Sequence, residues 1–415
     1  MSIDNMIENE EEQVIETPVY TKDPIADDKL LRIAVIGTGN CGGMLANDAC
    51  NALGIDGVAI NGSERDLKLI TCPNVICFKT GDGKGTGKDR NTAKKFFLED
   101  SGLTLENKFI ATIENNDVII VATSTGGGYG SGASTELIEL LMNMYPTKIF
   151  IGAGVLPFKD EQYTAFEGTK LWLKELVSLG IGYMLYDNNQ FTDTMSPNKA
   201  AKMVNECFIE DLRILQGDYI DRSFTGGIDE RDMLTVLSVP GRIVPGSLTD
   251  LEVSDIIDGS IVKTIKKHIV DETAQAEMVS DKEILASAMM YTLGDEFDEF
   301  KGRIKTDLQA EFGTHVKDTT NFSDEDRGSV AIVLTGLSAP NMVIDRIINK
   351  ANELGEDINK RKASTSKLFK DDNDVKVKEV TAKQSFATES KIVNSGGNRS
   401  RDELLKEFIA RKNSN

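Results

Sequence analysis

Short, almost wholly apolar runs recur along the first half of the chain. LRIAVIG (31–37), VAIN (58–61), VICFKT (75–80), DVIIVATS (117–124), KIFIGAGVL (148–156) and IGYMLYD (181–187) each have the length and composition of a buried strand. Segments with helical spacing lie between them. MLANDACNAL follows the first run, a helix is predicted from near Asn91, TELIELLMNMY (135–145) follows the fourth run, and a further helix is predicted from about 161 to 178. Apolar strands alternating with helices predict a parallel sheet covered on both faces, so the fold class is α/β. AAKMVNECFIEDLRILQGDY (200–219) keeps helical spacing for about 30 Å. A loop, GGIDERD (226–232), and a helix, MLTVLS, come next. From 241 the pattern suggests a second α/β unit, with SVAIVLTGL (329–337) as its clearest strand and NMVIDRIINKANEL (341–354) as a helix. Past about 358 the chain is rich in Lys, Ser, Asn and Asp. The amphipathic piece DELLKEFIARK (402–412) is expected to fold on a partner.

Composition narrows the class. The 415 residues are 40% hydrophobic and 27% charged, as in a globular protein. No apolar run reaches the ~20 residues that span a bilayer. The acidic start MSIDNMIENEEEQVIE lacks the basic head and apolar core of a signal peptide, so a cytoplasmic protein with no membrane partner is expected. Five cysteines without a C-x-x-C and two histidines argue against disulfide stapling and against zinc. A formal charge of −20 argues against a body that wraps DNA. Residues 361–415 reverse the sign, with 13 Lys/Arg against 8 Asp/Glu. A basic tail behind an acidic body reads either as a partner-binding segment or as a solubilising one.

Chemistry is concentrated in glycine-rich loops after predicted strands. Glycines at a strand end let the backbone approach a phosphate, and the following helix adds its positive end. GTGNCGG after the first strand is weak evidence alone. With Glu64 past the second strand, it leaves a nicotinamide enzyme as an alternative. TGGGYGSG (125–132) is more specific. It holds five glycines in seven positions, Gly126, Gly127, Gly128, Gly130 and Gly132, between a strand and a helix, and it predicts phosphate binding. A third loop, GDGKGTGKDR (81–90), lacks the hydroxyl that a P-loop needs after its lysine. Its Lys84, Lys88 and Arg90 are either phosphate contacts or solvated charges.

GGGYGSG resembles the signature loop of the tubulin/FtsZ superfamily, GGGTGTG, and the order of the other motifs agrees. The resemblance covers roughly 31–350. It implies GTP or GDP as ligand, with Mg2+ held by phosphates and water rather than by a carboxylate cage. It assigns Gly37, Gly39, Asn40, Cys41 and Gly42 to the first phosphate loop. Asn61 falls on the second loop, with Ser63 where an aspartate is expected. Gly85 and Lys88 fall on the loop that senses the γ-phosphate. Gly126, Gly127, Gly128, Tyr129, Gly130, Ser131 and Gly132 form the signature loop. GVLPFKDE places Glu161 at the ribose, and Ala165 stands where an arginine is expected. YDNNQF places Asn188 near the nucleotide. MVNECF places Asn205 and Glu206 against the base, where oxygen acceptors would meet the N1–H and amino donors of guanine.

GGIDERDMLTVLS (226–238) resembles the superfamily's catalytic loop. It places Asp229 and Asp232 on the acidic positions, with Gly227 in place of an asparagine. There a carboxylate orients water for attack on phosphorus in the next subunit, so the site is complete only in a head-to-tail filament. TDLEVSD (249–255), with Asp250, Glu252 and Asp255, fits that pattern less well. The implied organisation is an acidic arm (1–28), a GTP-binding domain (29–199), a core helix (200–219), a catalytic loop and helix (220–240), a second domain (241–357) and a basic tail (358–415), flexible or helical. The departures from FtsZ suggest the plasmid and bacteriophage tubulin-like GTPases, the TubZ and PhuZ types. That implies filaments that position or segregate DNA in a bacterium or phage-infected cell, with the tail meeting a DNA-bound adaptor or a neighbouring subunit. The alternatives are an FtsZ-like division or cell-shape GTPase and a non-polymerising nucleotide-binding protein.

Overall fold

The computed structural model describes residues 29–217, 228–254, 263, 286–294, 299, 302–303, 306–307, 310, 316–323, 328–368 and 399–414. The acidic arm, Gly227, Asp255 and the tail from 369 to 398 lie outside the described residues. The six apolar runs form β1 (Ile33–Thr38), β2 (Gly57–Asn61), β3 (Val75–Lys79), β4 (Val118–Ser124), β5 (Ile149–Leu156) and β6 (Gly182–Asp187). They are parallel, in the order β3-β2-β1-β4-β5-β6. The order reverses between β1 and β4. In open α/β sheets a ligand crevice opens outside the carboxyl ends of the strands at such a reversal.

Alternation along each strand fixes two cores. Ile33 and Val35 face one side with Val118 and Ile120, while Ala34 and Ile36 face the other with Ile119 and Val121. The first side is covered by α1 (Gly39–Leu53), α7 (Pro197–Gln216) and α8 (Glu230–Leu237). The second is covered by α3 (Arg90–Glu99), α4 (Asn107–Glu114), α5 (Gly128–Met144) and α6 (Tyr163–Ser178). A four-residue helix, α2 (Glu64–Leu67), follows β2. The long helix α7 opens on Pro197 at its first position, where proline's missing N–H is no loss, and stops at Gly217 in the left-handed region, φ 77. The expected helix near Asn91 begins at Arg90 because the Asp89 side chain caps it.

Beyond β6 the sheet continues through β7 (Gly241–Leu251), β10 (Gly328–Leu337), β8 (Ala286–Gly294) and β9 (Val316–Ser323), giving ten strands among the described residues. β7 joins β6 through two residue pairs only, Gly182 with Gly241 and Tyr183 with Arg242. Of these four later strands the sequence pattern had picked out β10 alone. β9, VKDTTNFS, is a polar edge strand with no apolar face to read. The helix expected at 341–354 runs on as α9 (Asn341–Leu368) and packs along α6. The amphipathic piece at 402–412 is α10 (Arg401–Asn413), and it packs on this chain's own α5.

The sole tryptophan, Trp172 of α6, is fully buried, and its indole N–H donates to Ser134 Oγ on α5 at 2.8 Å. Removing that acceptor leaves a buried donor unpaired. We expect Ser134→Ala to lower stability by about 1–3 kcal/mol. The check is a denaturant titration followed by Trp172 fluorescence, in which an unchanged midpoint would be the contrary result.

Candidate functional site

The glycine loops meet at the reversal between β1 and β4. Thr38 ends β1, and its hydroxyl lies 3.4 Å from both the Ala122 and the Gly130 carbonyl oxygens. Gly39, at φ +71, opens α1 and touches the start of α5. A Cβ on Gly39 would lie 2.9 Å from the Gly130 nitrogen. Neither α1 nor α5 has a side-chain cap or an acidic residue in its first turn. Two uncapped helix N-termini therefore converge on one crevice with their first-turn N–H groups open to an anion. Among the described residues, α2, α3, α8 and α10 carry an Asp or Ser cap, while α4, α6 and α7 lack a side-chain cap as α1 and α5 do.

Most glycines of the signature loop serve close packing. A Cβ at Gly126 would meet Ala165 at 3.0 Å, at Gly128 the Lys88 backbone at 2.5 Å, at Gly130 Thr123 Oγ1 at 2.2 Å, and at Gly132 the Arg90 carbonyl at 2.5 Å. Gly127 differs. Its nearest neighbour would stand at 3.6 Å, its φ is −74°, and it sits at the N-cap of α5. Nothing in the protein itself demands a glycine there, so the space beside it is available to a ligand. The contact at Gly126 also explains Ala165. That residue is fully buried against the loop, where the arginine expected from the resemblance has no room.

The 81–90 loop closes over this crevice. Ser63 and Lys84 form an isolated β-bridge, and Gly85 N–H donates to the Gly62 carbonyl at 2.7 Å. Lys88 adopts φ 65, the left-handed region, where a lysine is strained, and it is the one non-glycine among the described residues to do so. Its Nζ stands 4.0 Å from Glu161. Glu161 also acts on Cys41. Burial first, and the Glu161 charge second, push the Cys41 thiol up to about 12, so it stays protonated. Asn40 is exposed beside it.

Several predicted site side chains are committed within the protein. The Tyr129 ring lies under Gly62, and its hydroxyl accepts from Thr80 Oγ1 at 2.7 Å. Burial raises the Tyr129 phenol far above its ordinary range. Ser131 donates to the Gly127 carbonyl and is gripped by Arg90, whose Nε donates to Ser131 Oγ at 3.1 Å and Nη2 to its carbonyl at 2.7 Å. Arg90 also pairs with Glu175 at 2.7 Å, so it braces the loop rather than offering a free cation. Lys84 is exposed, 3.8 Å from Asp82. The Asn61 side chain accepts from Ser63 N–H and donates to Asp66, and Ser63 caps α2. The Asn205 amide donates to Asp48 of α1 at 2.8 Å, and Glu206 is exposed. Asn188 donates to the Leu156 carbonyl at 3.2 Å, while its buried Oδ1 has no protein partner, an acceptor a ligand donor would satisfy. Gly37 and Gly42 let β1 and α1 approach within backbone contact.

The aspartates stand elsewhere. Asp229 caps α8, accepting from Asp232 N–H at 2.8 Å, and Asp232 returns the bond to Asp229 N–H. The N-cap of α8 is therefore Asp229. α8 lies at the opposite edge of the sheet. Arg231, Leu234, Thr235 and Ser238 share a cleft of ≈ 490 Å³ with Asp117, Lys148 and Ile149, which stand where β4 and β5 begin. The glycine loops stand where those strands end, about 20 Å away at the rise of a strand. Of the rival acidic set, Asp250 lies on β7 and Glu252 is exposed just past its end.

The sequence reading missed Thr80, Asn189, Asp48 and Glu175. Asn189 pins the β5–α6 loop, accepting from Lys159 N–H at 2.9 Å and donating to the Pro157 carbonyl at 3.0 Å. Its only signal was its place beside Asn188. Nothing in the spacing marks Glu175 as the partner of Arg90.

The arrangement is that of an α/β domain whose glycine loops converge at the carboxyl ends of its strands. Residues 32–196 match the model of the Tubulin/FtsZ family, GTPase domain. The chain is 24% identical over 218 residues to the Tubulin-like protein CetZ of Pyrococcus abyssi, spanning 51% of this chain and 59% of that one. It is 24% identical over 245 residues to the Mitochondrial division protein fszB of Dictyostelium discoideum, 58% of this chain and 60% of that one. The chain thus spans about three-fifths of the length of these relatives. A GTPγS-form protofilament structure of TubZ from Bacillus thuringiensis serovar israelensis shares the fold, with a TM-score of 0.66 at 15% identity over 83% of this chain and 96% of that one.

Two outcomes follow. Gly127→Ala should cost no more than about 1 kcal/mol in stability yet weaken nucleotide binding at least tenfold. Gly130→Ala should destabilise the ligand-free protein by about 1–3 kcal/mol through overpacking. Thermal melts and nucleotide titrations separate the two. Equal effects on both melts would contradict this division of roles. Separately, burial alone would raise Glu175, but Arg90 and Lys94 outweigh it and hold the carboxyl below its ordinary value. A folded pKa below the unfolded one adds stability above pH 4.5 that is lost as pH falls through the folded value. We expect Glu175→Gln to reduce stability at pH 7 and to flatten the acid limb of the stability profile below pH 4.5.

Proposed function

We propose that the protein is a GTPase whose active site is shared between copies stacked head to tail. The observation that carries this reading is the separation of the two halves of the chemistry. The phosphate cradle lies at the carboxyl edge of the sheet, with Gly37, Gly39, Gly127, Lys88, Glu161 and Asn188 around it. Asp229 and Asp232 stand at the start of α8, whose Arg231, Leu234, Thr235 and Ser238 line a cleft at the amino ends of β4 and β5, about 20 Å from the carboxyl edge at the rise of a strand. A second copy stacked in the same orientation brings its amino edge over the first copy's crevice. Such a contact is heterologous and propagates as a row.

In this mechanism the first-turn N–H groups of α1 and α5 cradle phosphate oxygens, and Gly127 gives them a close approach. Lys88 and Glu161 face the rim of the crevice. Asn188 Oδ1 accepts from a ligand donor. The Mg2+ that accompanies GTP would neutralise phosphate charge, and the residues suit that role because no dedicated protein cage is required. Among the described residues no cluster of three or more His, Cys, Asp or Glu is placed to hold a metal. The neighbouring copy's Asp229 and Asp232 orient the attacking water. Their mutual cap fixes both carboxylates on a rigid turn, which favours positioning over proton abstraction.

The relatives with a role in their names are division proteins, as fszB illustrates, so a division or cell-shape role has more support than DNA positioning. The likeness to TubZ rests on fold alone. Among the described residues no helix is long and apolar enough to cross a membrane.

The test is phosphate release per copy measured against protein concentration. The rate should rise with concentration, in step with light scattering, for GTP and not for ATP. Asp232→Asn should still scatter while turnover falls on the order of 100-fold. A rate per copy that is constant from dilute to concentrated protein would mean a self-contained site and end the shared-site reading.

A further inference from the structure

The carboxy-terminal helix α10 is seated in a groove on its own domain. Leu405 and Phe408 are buried in the core formed by α3, α4 and α5. Its basic side chains meet acidic ones on the groove. Arg401 pairs with Glu114 of α4 and stacks 4.7 Å over the Tyr145 ring. Arg411 reaches Glu139 at 2.9 Å, and Lys412 reaches both Glu136 and Glu139 of α5 at 2.7 Å. The helix carries its own capping box, Ser400 with Glu403.

The charges do not stop at the groove. Glu136, nearly buried, also receives Lys94 of α3 at 2.8 Å. Lys94 is shared with Glu175 of α6 at 2.9 Å. Glu175 accepts from Thr135 Oγ1 at 2.8 Å and pairs with Arg90 at 2.7 Å. Arg90 then holds the carbonyl and hydroxyl of Ser131 in the first turn of α5. Four ion pairs and a closing hydrogen bond, Lys412–Glu136–Lys94–Glu175–Arg90–Ser131, thus join the tail helix to the glycine-rich loop. Burial works against the Lys412 charge, but Glu136 and Glu139 outweigh it and hold its pKa above the ordinary lysine value.

We propose that the acidic groove of α4 and α5 is a regulated docking surface for this chain's own carboxy-terminal helix, and that seating the helix and filling the glycine-loop crevice are coupled. This rests on the nucleotide reading of that crevice. Two consequences of undocking set the sign. When the helix leaves, the nearly buried Glu136 keeps only Lys94, which it must share with Glu175, and Arg90's grip on Ser131 loosens. The same departure removes Arg401, Arg411 and Lys412 and leaves Glu114, Glu136 and Glu139 uncompensated on the domain that must accept a polyphosphate. A seated helix therefore favours a bound nucleotide, and linkage requires a bound nucleotide to favour the seated helix by the same factor. Release is accessible because a 13-residue helix is marginal alone, and two buried side chains give it a shallow hold.

The experiment uses the full chain at dilutions below assembly. Amide hydrogen exchange is followed over residues 402–412 without nucleotide, with GDP and Mg2+, and with a slowly hydrolysed GTP analogue. Nucleotide affinity is measured in parallel by fluorescence of a labelled GTP, for the wild type, Phe408→Asp, Lys412→Gln and Lys412→Arg. We expect nucleotide to slow exchange in α10 by about fivefold or more, and Phe408→Asp to weaken nucleotide binding by the same factor. Lys412→Gln should weaken it less, and Lys412→Arg should restore wild-type affinity. Lys412→Gln changes a single side chain at the helix end, so it keeps the test decisive if Phe408→Asp disturbs folding. Binding of nucleotide with unchanged exchange and affinities within twofold would overturn the coupling. So would protection of α10 that vanishes on dilution, because the occupant would then be another copy's helix. Absence of nucleotide binding in all four proteins would instead remove the reading of the crevice itself.

Discussion

Everything at the carboxyl edge of the sheet depends on one close approach, that of the β1–α1 turn to the first turn of α5. Gly39 and Gly130 touch backbone to backbone, with the Thr38 hydroxyl between the strands that carry them. Only residues without a Cβ allow this distance. The approach aims two helix N-termini at one volume, and that shared volume makes the crevice anionophilic. The 81–90 loop is then held against the pair by Gly128 on Lys88 and by Tyr129 on Thr80. A methyl group at the wrong glycine would part the two helix ends and dismantle the site without touching a ligand.

The sheet half of this was legible in the sequence because its strands, all but the edge strand β3 buried on both faces, are continuous apolar runs. Six were read within a residue or two of their ends. The second unit was harder. β7 to β9 mix polar and apolar residues, and β9 is an edge, so their pairing is decided by neighbours distant in the chain. At the site, glycine density pointed to the right loops and overstated the reason for them. Gly126, Gly128, Gly130 and Gly132 are small because protein atoms press on them, and Gly127 alone is free of that demand. By its place in a basic loop Arg90 read as either a phosphate contact or a solvated charge. Its real partners, Glu175 and Ser131, are 85 and 41 residues away, beyond any spacing argument.

The tail shows the same limit from the other side. An amphipathic pattern at 402–412 announces a helix that wants a surface, and it does not say whose. The answer lies in Glu136 and Glu139, one turn apart on α5, which no pattern in the tail encodes. Local sequence specifies an element and its appetite, and tertiary charge placement decides what satisfies it.

The capping box of Asp229 and Asp232 at one edge and the crevice at the other have an arithmetic consequence. If copies stack as proposed, a row of n copies holds n − 1 completed sites, because one end always presents a crevice that no carboxylates face. A pair is then only half occupied with chemistry, while a long row approaches one site per copy. Specific activity becomes a gauge of length, and the unserved end keeps its triphosphate longest, so the two tips of every row differ chemically even though every copy is identical.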